Sequence, residues 1–427
     1  MRKFIISLSF GNYLKADGGV DKAIFEYQQQ FNQIGIAYIH ISPVLPDKLK
    51  TLFEKNRVYT VLNNGVYCGL FDERDVWGFI NEYSEKGNKC VGIHIHHTKK
   101  FDVRFVKKIV SAFNVPVYFF LHDYYSICEQ PNLLYNGENF CGNEKKPGVY
   151  CQKCKYGNGI RYHQGNIIQI LEESKKLIIV SPSELTMDIW KKTYGEKVPN
   201  AEYLIVPHQE PIGLYEKFPD LNSKIKIAFI GRYGDNKGKK QWQELVDFIE
   251  KEKLEYELYY LGFSDIPVNS VKKICVKVDP DNPDKMLDVM RDSGINCAFM
   301  WSLCPETYSY AFFEARAANL FIITFKDSGN IAYLTNKLGN GIVYDSLSAL
   351  TKDVQSNSLR NSIETFYNDE GKRGPLRYRS NSQIKELYGK SHYEYKACIS
   401  GKKINYFVKK TIEKFYLKKN KVGISND

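Results

Sequence analysis

Two glutamates eight positions apart, Glu306 and Glu314, have the spacing in this chain that most directly suggests chemistry. The first follows a proline, and the segment after it is apolar and helical in pattern. Because eight residues span about two helical turns, both carboxylates can lie near one side of the element. A carboxylate in an apolar stretch is costly unless a partner hydrogen-bonds to it, as sugar hydroxyls would. The alternative is a helix cap followed by one solvated glutamate.

A glycine-rich turn, Gly231–Gly238, carries two cations, Arg232 and Lys237. It follows an apolar stretch typical of a buried strand. Ligands of doubly wound folds bind at the carboxyl ends of strands, and a diphosphate would match this charge. The alternative is a polar surface turn.

Gly18 and Gly19 follow the first apolar stretch and precede a helical pattern. Paired glycines let the backbone approach a ligand closely, and the helix start suits an anion. The third glycine of a dinucleotide-binding fingerprint is missing, which disfavours a nicotinamide enzyme.

His122 follows another apolar strand, Val117–Leu121, where it could hydrogen-bond to a ligand or transfer protons. A lone histidine is more often structural.

Four of the ten cysteines lie close together in the sequence: Cys128, Cys141, Cys151 and Cys154. A closing Cys-x-x-Cys pair with two earlier cysteines has the ligand count of a tetrahedral zinc site. The segment between them is loop-like and would gain stability from such a site. We therefore predict a structural zinc, with free thiols or reversible disulfides as the alternatives.

The elements that must position these residues alternate between strand and helix patterns, which is typical of βαβ units. The strand patterns are Lys3–Phe10, Ile36–Ser42, Arg57–Leu62, Cys90–His96, Val115–Leu121, Leu177–Ser181, Ile225–Ile230, Tyr256–Leu261, Val271–Val276, Asn296–Met300 and Leu320–Thr324. The helix patterns are Gly19–Gln33, Glu73–Lys86, Asp102–Phe113, Ile160–Lys175, Lys239–Glu250, Lys285–Arg291 and Tyr308–Ala318. This order predicts an α/β fold of two Rossmann-like domains facing across a cleft.

The predicted domains are 1–207, which includes a cysteine-rich loop over 128–154, and 224–385, joined by an irregular linker over 208–223. The last segment, 386–427, departs from the alternation and contains a basic amphipathic helix. From 401 to 421 there are eight lysines and one glutamate. Such a helix could lie on an anionic membrane surface, or it could pack on a domain with its lysines solvated.

Composition favours a globular enzyme in a reducing compartment. Hydrophobic residues make up 43% and charged residues 26% of the 427 residues, and no stretch has the length of a membrane span. The apolar start at Met1 is too short for a secretory signal. We therefore predict a cytoplasmic location, with peripheral attachment to the inner face of the cell membrane through 401–421.

In this order the motifs resemble the retaining glycosyltransferases of the GT-B fold, glycosyltransferase family 4, over nearly the whole chain. The resemblance is carried most specifically by the glutamate–seven residues–glutamate pattern of Glu306 and Glu314. Further matching motifs are Gly18-Gly19, His122-Asp123-Tyr124, Ser181-Pro182-Ser183, and Gly231-Arg232 with Lys237-Gly238. The stretch from His122 to Cys154 is similar to that of some bacterial surface-polysaccharide transferases.

The resemblance implies a role for each residue. Glu314 would bind the ribose of a nucleoside diphosphate sugar, and Glu306 would face the transferred sugar. Arg232 and Lys237 would neutralise the diphosphate, so that no catalytic metal is expected. Gly18 and Gly19 would approach the diphosphate and the acceptor, which is a glycan or a lipid-linked glycan. His122 would contact the donor sugar, and the leaving phosphate would help to deprotonate the acceptor.

Two positions depart from the family pattern. Asn319 stands where glycine is usual after the glutamate helix, but asparagine also suits a left-handed helix end. Ser328 and Gly329 keep only part of the glycine-rich donor loop. Both are still predicted to bind the donor.

Three other functions would each account for part of the sequence. A GT-B nucleotide-sugar epimerase would need acid–base groups across the sugar and has no need for a basic tail. A zinc-containing nucleic-acid-binding protein would use the cysteines and the lysines, but no aromatic-basic recognition motif is present and nucleic acid is not an expected partner. A degenerate GT-B scaffold, which would act only as a partner subunit, would not need Arg232, Lys237, Glu306 and Glu314.

Overall fold

The protein consists of two α/β domains, each built on a mainly parallel sheet, which confirms the predicted fold class. The computed structural model describes residues 2–15, 18–44, 57–142, 149–221, 224–265, 270–278 and 282–389. The predicted basic tail over 401–421 lies outside the described residues.

The first domain contains eight strands in the order β10-β9-β6-β5-β1-β2-β3-β4. Strands β1, β2, β5, β6, β9 and β10 pair in parallel. The strands are β1 (Lys3–Leu8), β2 (Ile36–Val44), β3 (Val58–Asn63), β4 (Val66–Phe71), β5 (Lys89–Ile95), β6 (Val117–Phe120), β9 (Leu177–Ser181) and β10 (Glu202–Ile205); a small separate hairpin consists of β7 (Leu134–Tyr135) and β8 (Asn139–Phe140).

Helices cover both faces of this sheet. They are α1 (Gly19–Gln33), α2 (Glu73–Glu85), α3 (Val103–Ala112), α4 (Val149–Lys153), α5 (Ile160–Glu172) and α6 (Glu184–Tyr194). In α1 the buried residues Ala23, Ile24, Tyr27 and Phe31 recur at helical spacing, so that one face of the helix packs on the sheet.

The second domain contains six parallel strands in the order β14-β13-β12-β15-β16-β17. The strands are β12 (Ile225–Ile230), β13 (Tyr256–Gly262), β14 (Lys272–Cys275), β15 (Cys297–Met300), β16 (Phe321–Phe325) and β17 (Gly341–Tyr344). Its helices are α7 (Lys239–Lys251), α8 (Lys285–Asp292), α9 (Tyr310–Ala317), α10 (Asn330–Leu338), α11 (Leu347–Gln355) and α12 (Ser358–Tyr367).

Two crossings connect the domains. Strand β11 (Gln209–Ile212), within the predicted linker, pairs antiparallel with β18 (Arg377–Ser380). The chain then returns to the first domain through α13 (Gln383–Glu386), and Ile384 and Tyr388 pack in its core. The predicted linker therefore contains one strand of a two-stranded ribbon between the domains.

The first sheet differs from the prediction at one edge. Strands β2, β3 and β4 are antiparallel, and β4 was not predicted. Asn64 and Gly65 both have positive φ, 52° and 82°, as a tight two-residue hairpin turn requires. The Asn-Gly pair between two apolar stretches was the sequence signal for this hairpin.

Within the described part of the chain, no helix combines the length and the apolar character needed to cross a membrane.

The left-handed conformation predicted at Asn319 is confirmed, with φ of 57°. Its side chain donates to the carbonyls of Tyr215 and Lys217 and accepts from the N–H of Gly374, so it also holds the crossing segments against the second domain.

Candidate active site

The carboxyl ends of strands from both domains meet at a cavity of about 200 Å³. From the first domain it is lined by the start of α1 and by the loops after β6 and β10; from the second, by Lys237 and the loop after β15. The lining residues are Gly19, Val20, His122, Asp123, Tyr124, Pro131, Asn132, His208, Lys237, Cys304, Pro305, Glu306, Thr307, Tyr308 and Tyr310. The cavity therefore lies where doubly wound folds bind ligands.

An ion pair between Glu306 and Lys237 forms the second-domain wall of the cavity. The Lys237 ammonium donates to Glu306 Oε1, which also accepts from Ser302 Oγ at 2.7 Å. The Glu306 side chain is only 10% exposed. Burial alone would lower the pKa of Lys237, but Glu306 and Cys304 outweigh it and the pKa is raised. Lys237 is thus a cation throughout the neutral range.

The glycine-rich turn and the glutamate loop are held together by backbone contacts. The N–H of Leu303 donates to the Asn236 carbonyl at 3.0 Å, and the Ser302 hydroxyl oxygen lies 3.2 Å from the same carbonyl. Gly238 has φ of 83°, and a Cβ there would lie 2.3 Å from the Trp301 carbonyl oxygen. Only glycine allows this close approach, which fixes Lys237 beside Glu306.

Gly329 packs against the backbone of the loop that carries Glu306. Its φ is 63°, and a Cβ would lie 2.4 Å from the Glu306 nitrogen. The next residue, Asn330, donates its N–H to the Glu306 carbonyl at 2.9 Å. The Ser328 hydroxyl is fully buried and donates to the Ser302 carbonyl at 2.9 Å. Neither Ser328 nor Gly329 lines the cavity, and the predicted donor contact of both residues remains untested.

Across the cavity, α1 presents its N-terminus through Gly19 and Val20. The first N–H groups of a helix have no partners within it, and their partial positive charge favours an anion. Gly18 is extended, and a Cβ there would meet nothing within 4 Å. Gly19 packs closely on the Tyr310 ring, so that the helix start contacts the second domain.

His122 lies on the first-domain wall and is 8% exposed. Its Nε2 is 2.8 Å from His96 Nδ1, whereas its Nδ1 has no hydrogen-bond partner among the described residues. Burial and then the nearby His208 lower its pKa well below the usual value. His122 is therefore a neutral imidazole on the wall of the cavity, and its unpartnered Nδ1 is buried.

Asp123, next to His122, is a carboxylate held in place by two donors. His97 Nε2 lies 3.3 Å from it, and the Tyr125 N–H donates to it at 2.8 Å. Burial would raise the pKa of Asp123, but His97 outweighs burial and the pKa is lowered. Asp123 therefore brings a fixed negative charge to the cavity.

Glu314 lines a second cavity, of about 310 Å³, with Lys22, Glu26 and Asp284. Burial raises the pKa of Glu314, while Lys22 opposes the shift. Because Val20 lines the first cavity and Lys22 the second, the first turn of α1 separates them. The two glutamates do not share one helix face as their spacing suggested, since α9 begins after Glu306, with Ser309 as its N-cap.

The structure therefore brings together Gly19, His122, Lys237 and Glu306, and places Glu314 in the adjoining cavity. Arg232 is exposed and lies close enough to Lys237 to lower its pKa slightly, although it does not line the cavity.

Several residues of the cavity were not predicted. His208 stacks between His122 and Tyr310, with ring centroids 5.2 and 6.0 Å away. The Thr307 hydroxyl donates to the His122 carbonyl at 2.6 Å and so connects the two domains. His208 was assigned to an irregular linker, although it follows the last strand of the first domain. Its position at a strand end was the same signal that identified His122.

The four cysteines of the predicted zinc site are grouped but not arranged as ligands. The charges of Cys141, Cys151 and Cys154 each raise the pKa of Cys128, after burial, which brings it to about 11. The Asn136 N–H donates to Cys154 Sγ at 3.4 Å. Among the described residues no three His, Cys, Asp or Glu side chains are placed to hold one metal ion. The zinc site stays a prediction.

Comparisons with known proteins identify the fold. No protein-family model and no curated protein matches the chain. Among solved structures, HepE of Anabaena in complex with UDP-glucose is similar at 12% identity and a TM-score of 0.51, over 87% of this chain and 96% of that one. TarM is similar at 10% identity and a TM-score of 0.52, over 87% and 95%. The GtfA/B complex is similar at 9% identity and a TM-score of 0.50, over 86% and 95%. These likenesses show that the chain has the GT-B fold.

Proposed function

We propose that the protein is a glycosyltransferase that moves a sugar from a nucleoside diphosphate sugar to a glycan or lipid-linked glycan. The observation that carries the proposal is the Lys237–Glu306 pair facing the N-terminus of α1 across one cavity. A cation and a helix N-terminus on opposite walls suit a diphosphate, and a carboxylate beside them suits sugar hydroxyls. HepE, which has the same fold, was solved with UDP-glucose bound.

The two cavities suggest how the donor lies. The sugar and the diphosphate would occupy the cavity of Glu306 and Lys237, while the nucleoside would occupy the cavity of Glu314. The half-buried Glu314 carboxylate would then accept hydrogen bonds from the ribose hydroxyls. In this arrangement the diphosphate passes the first turn of α1 at Gly19, where the backbone is accessible.

During transfer the leaving diphosphate gains negative charge. Lys237 is already held beside the reacting groups by Glu306, so its charge stabilises the transition state without reorganisation. Arg232 adds positive charge from the rim of the cavity. Glu306 orients Lys237 and faces the transferred sugar, and His122 contacts that sugar from the opposite wall.

Replacing Glu314 tests this assignment. Glu314→Ala should raise the KM for the donor about 10-fold or more, since a buried site loses a charged hydrogen-bond acceptor. Glu250→Ala, at an exposed position of α7, is the matched control and should leave the KM unchanged. A Glu314→Ala protein with the wild-type KM and rate would refute the assignment.

We further propose that transfer retains the anomeric configuration, as the resemblance to family 4 implies. The first product, observed by proton NMR before mutarotation, should have the configuration of the donor. An inverted product would exclude this part of the proposal.

The location of the protein and the use of its product are also proposals. A cytoplasmic enzyme on the inner face of the membrane, making surface polysaccharide, would match the lysine-rich segment over 401–421. Deleting residues 401–427 should reduce cosedimentation with anionic liposomes, whereas unchanged binding would rule out this role for the segment.

A further inference from the structure

A loop of the first domain, over 128–141, forms a part of the cavity wall to which the proposed function gives no role. Pro131 and Asn132 of this loop line the cavity. The N–H of Tyr124 donates to the Pro131 carbonyl at 3.0 Å, so the loop lies beside the wall that carries Asp123. We call this segment, which includes the β7–β8 hairpin, the cavity loop.

Asn132 presents an accessible amide at the cavity. The residue is half-buried, and its side chain makes no hydrogen bond with a described residue. Neither its amide oxygen nor its amide nitrogen is a buried atom without a partner, so both atoms are accessible to a ligand. Because an amide donates through its nitrogen and accepts through its oxygen, it suits two neighbouring hydroxyl groups of a sugar.

The backbone that carries Asn132 is held by one side chain. Gln130 Oε1 accepts from the N–H of Asn132 at 2.7 Å and from the N–H of Leu134 at 3.2 Å. The N–H of Leu133 donates to the Gln130 carbonyl at 3.1 Å. Gln130 therefore closes the turn in which Asn132 lies.

Leu133 has a conformation that leucine rarely adopts. Its φ is 52°, in the left-handed region, which is unfavourable for a bulky side chain. The side chain is 2% exposed and packs in the core of the first domain, and the Leu133 carbonyl accepts from the N–H of Cys141 at 2.9 Å. Such outliers persist where the surrounding structure fixes them, and they are concentrated at ligand sites. The turn thus keeps Asn132 at the cavity while Leu133 packs inside.

We propose that Asn132 binds a hydroxyl group of the acceptor glycan and that Gln130 is the residue that positions it. Lys237 and Glu306, which hold the donor in the proposed function, lie on the second-domain wall, so the first domain is the side left for an acceptor. Unlike the transferred sugar, a glycan must continue from the cavity to solvent. The cavity loop follows that direction, since it runs from Asn132 to exposed residues over 137–139. The inference rests on the proposed function.

Transfer and hydrolysis of one donor test the assignment, because water needs no acceptor site. The donor is the uridine, guanosine, adenosine or thymidine diphosphate sugar from which the wild type releases nucleoside diphosphate. The acceptor probes are octyl glycosides of the common hexoses and N-acetylhexosamines. Asn132→Ala should raise the acceptor KM about 10-fold through the lost hydrogen bonds. The donor KM and the rate of hydrolysis should change by less than about two-fold, because neither depends on the acceptor.

Asn139→Ala is the matched control, since it removes an amide from an exposed position of the same loop. It should leave all three quantities unchanged. A wild-type acceptor KM in Asn132→Ala, or a rise in its donor KM instead, would overturn the assignment. A parallel loss of transfer and hydrolysis would reduce Asn132 to a structural role.

Two variants of Gln130 test its positioning role. Gln130→Leu should raise the acceptor KM as Asn132→Ala does, because the turn loses the oxygen that accepts from both N–H groups. Gln130→Glu keeps an oxygen at this position and should have nearly the wild-type acceptor KM. Equal acceptor KM values in the two variants would contradict the role of Gln130.

The results distinguish the two proposals. If the wild type releases nucleoside diphosphate from none of the four donors, the proposed function fails and the inference about Asn132 fails with it. If transfer to an octyl glycoside occurs and Asn132→Ala keeps the wild-type acceptor KM, the proposed function stands and only the inference fails. If the wild type hydrolyses a donor but uses no glycoside, the assignment of Asn132 to a glycan acceptor is overturned.

Discussion

At the scale of single residues, the proposed sugar transfer depends on the Lys237–Glu306 pair. The carboxylate is nearly buried and accepts from both Lys237 and Ser302. An ammonium ion held this way needs no rearrangement when the leaving group becomes charged. We therefore propose a catalytic role for the pair, which also connects two loops of the second domain.

Glu306→Gln should lower the rate of sugar transfer at least about 100-fold, because Lys237 loses its ionic partner beside the reacting groups. The dissociation constant of the donor should change only a few-fold, since the diphosphate contacts remain. Initial rates and calorimetric titration measure the two quantities.

The matched control is Glu257→Gln, which removes the carboxylate of a Lys272–Glu257 pair with a 2.8 Å contact at the surface. It should leave the rate unchanged. Equal rates in the Glu306→Gln and wild-type proteins would mean that Glu306 is structural only.

At the same scale, the sequence indicated some of the residues that line the cavity and missed others. Gly19, His122, Lys237 and Glu306 could be named because each follows a recognisable strand or proline corner. His208 and Thr307 could not, since their place in the cavity depends on how the two domains pack. The hydroxyl of Ser328 donates to a backbone carbonyl inside the second domain. A local sequence pattern cannot distinguish a serine with such a structural hydrogen bond from one that binds a ligand.

At the scale of elements, glycine turns with positive φ hold the site together. Gly238 and Gly329 both have positive φ and both lie against backbone of the loop over 301–306. These turns leave no space for a side chain, so the position of Glu306 depends on them.

Gly329→Ala should destabilise the protein by at least about 2 kcal/mol, from the left-handed conformation together with the contact on the Glu306 nitrogen. Transfer activity should fall as Glu306 shifts. Urea denaturation and initial rates test this.

Gly165→Ala in α5 serves as the control, because a Cβ there meets nothing within 4 Å. It should be neutral or stabilising by up to about 1 kcal/mol, the helix preference of alanine over glycine. Equal stability of the two variants would contradict the role given to Gly329.

The cysteine-rich loop is the second element with a direct test. We expect the purified protein to contain about one zinc ion per chain, the stoichiometry of a four-cysteine site. Cys154→Ser should lose the metal, while Cys275→Ser, at an exposed position, should keep it. Zinc-free protein with all four thiols reactive in the native state would exclude the site.

The sequence pattern predicted most strands and helices, because buried parallel strands are continuous apolar stretches and amphipathic helices repeat their apolar residues at helical spacing. The bounds of α1 and β12 agree with the prediction to the residue. The β11–β18 ribbon was missed, since short strands that cross between domains have too few residues to show a period.

At the scale of the whole molecule, the first domain has an unusual number of buried neutral histidines. Burial lowers the pKa of His40 and His208 to about 4 and that of His94 to about 3. His96 and His122 also lie well below the usual value. An imidazole whose pKa is depressed by folding is neutral in both states above its unfolded pKa of about 6.5, and below that pH it favours the unfolded state, which alone takes up the proton.

The protein should therefore lose stability on mild acidification. Between pH 7.5 and 5.5 we expect the free energy of unfolding to fall by about 3 kcal/mol or more, since each of five groups contributes up to about 1.4 kcal/mol per pH unit below 6.5. Glu26, whose pKa burial raises to about 7, works in the opposite direction. Urea titrations at both pH values measure the change, and a constant or higher stability at pH 5.5 would contradict it.

The central claim is that the cleft between the two domains binds a nucleoside diphosphate sugar. The most direct measurement is thermal unfolding of the wild-type and Glu314→Ala proteins with uridine, guanosine, adenosine and thymidine diphosphate sugars. We expect at least one of them to raise the melting temperature of the wild type by about 3 °C or more at saturation, and Glu314→Ala to lose most of this shift. A wild-type protein that none of the four sugars stabilises, or an equal shift in both proteins, would contradict it.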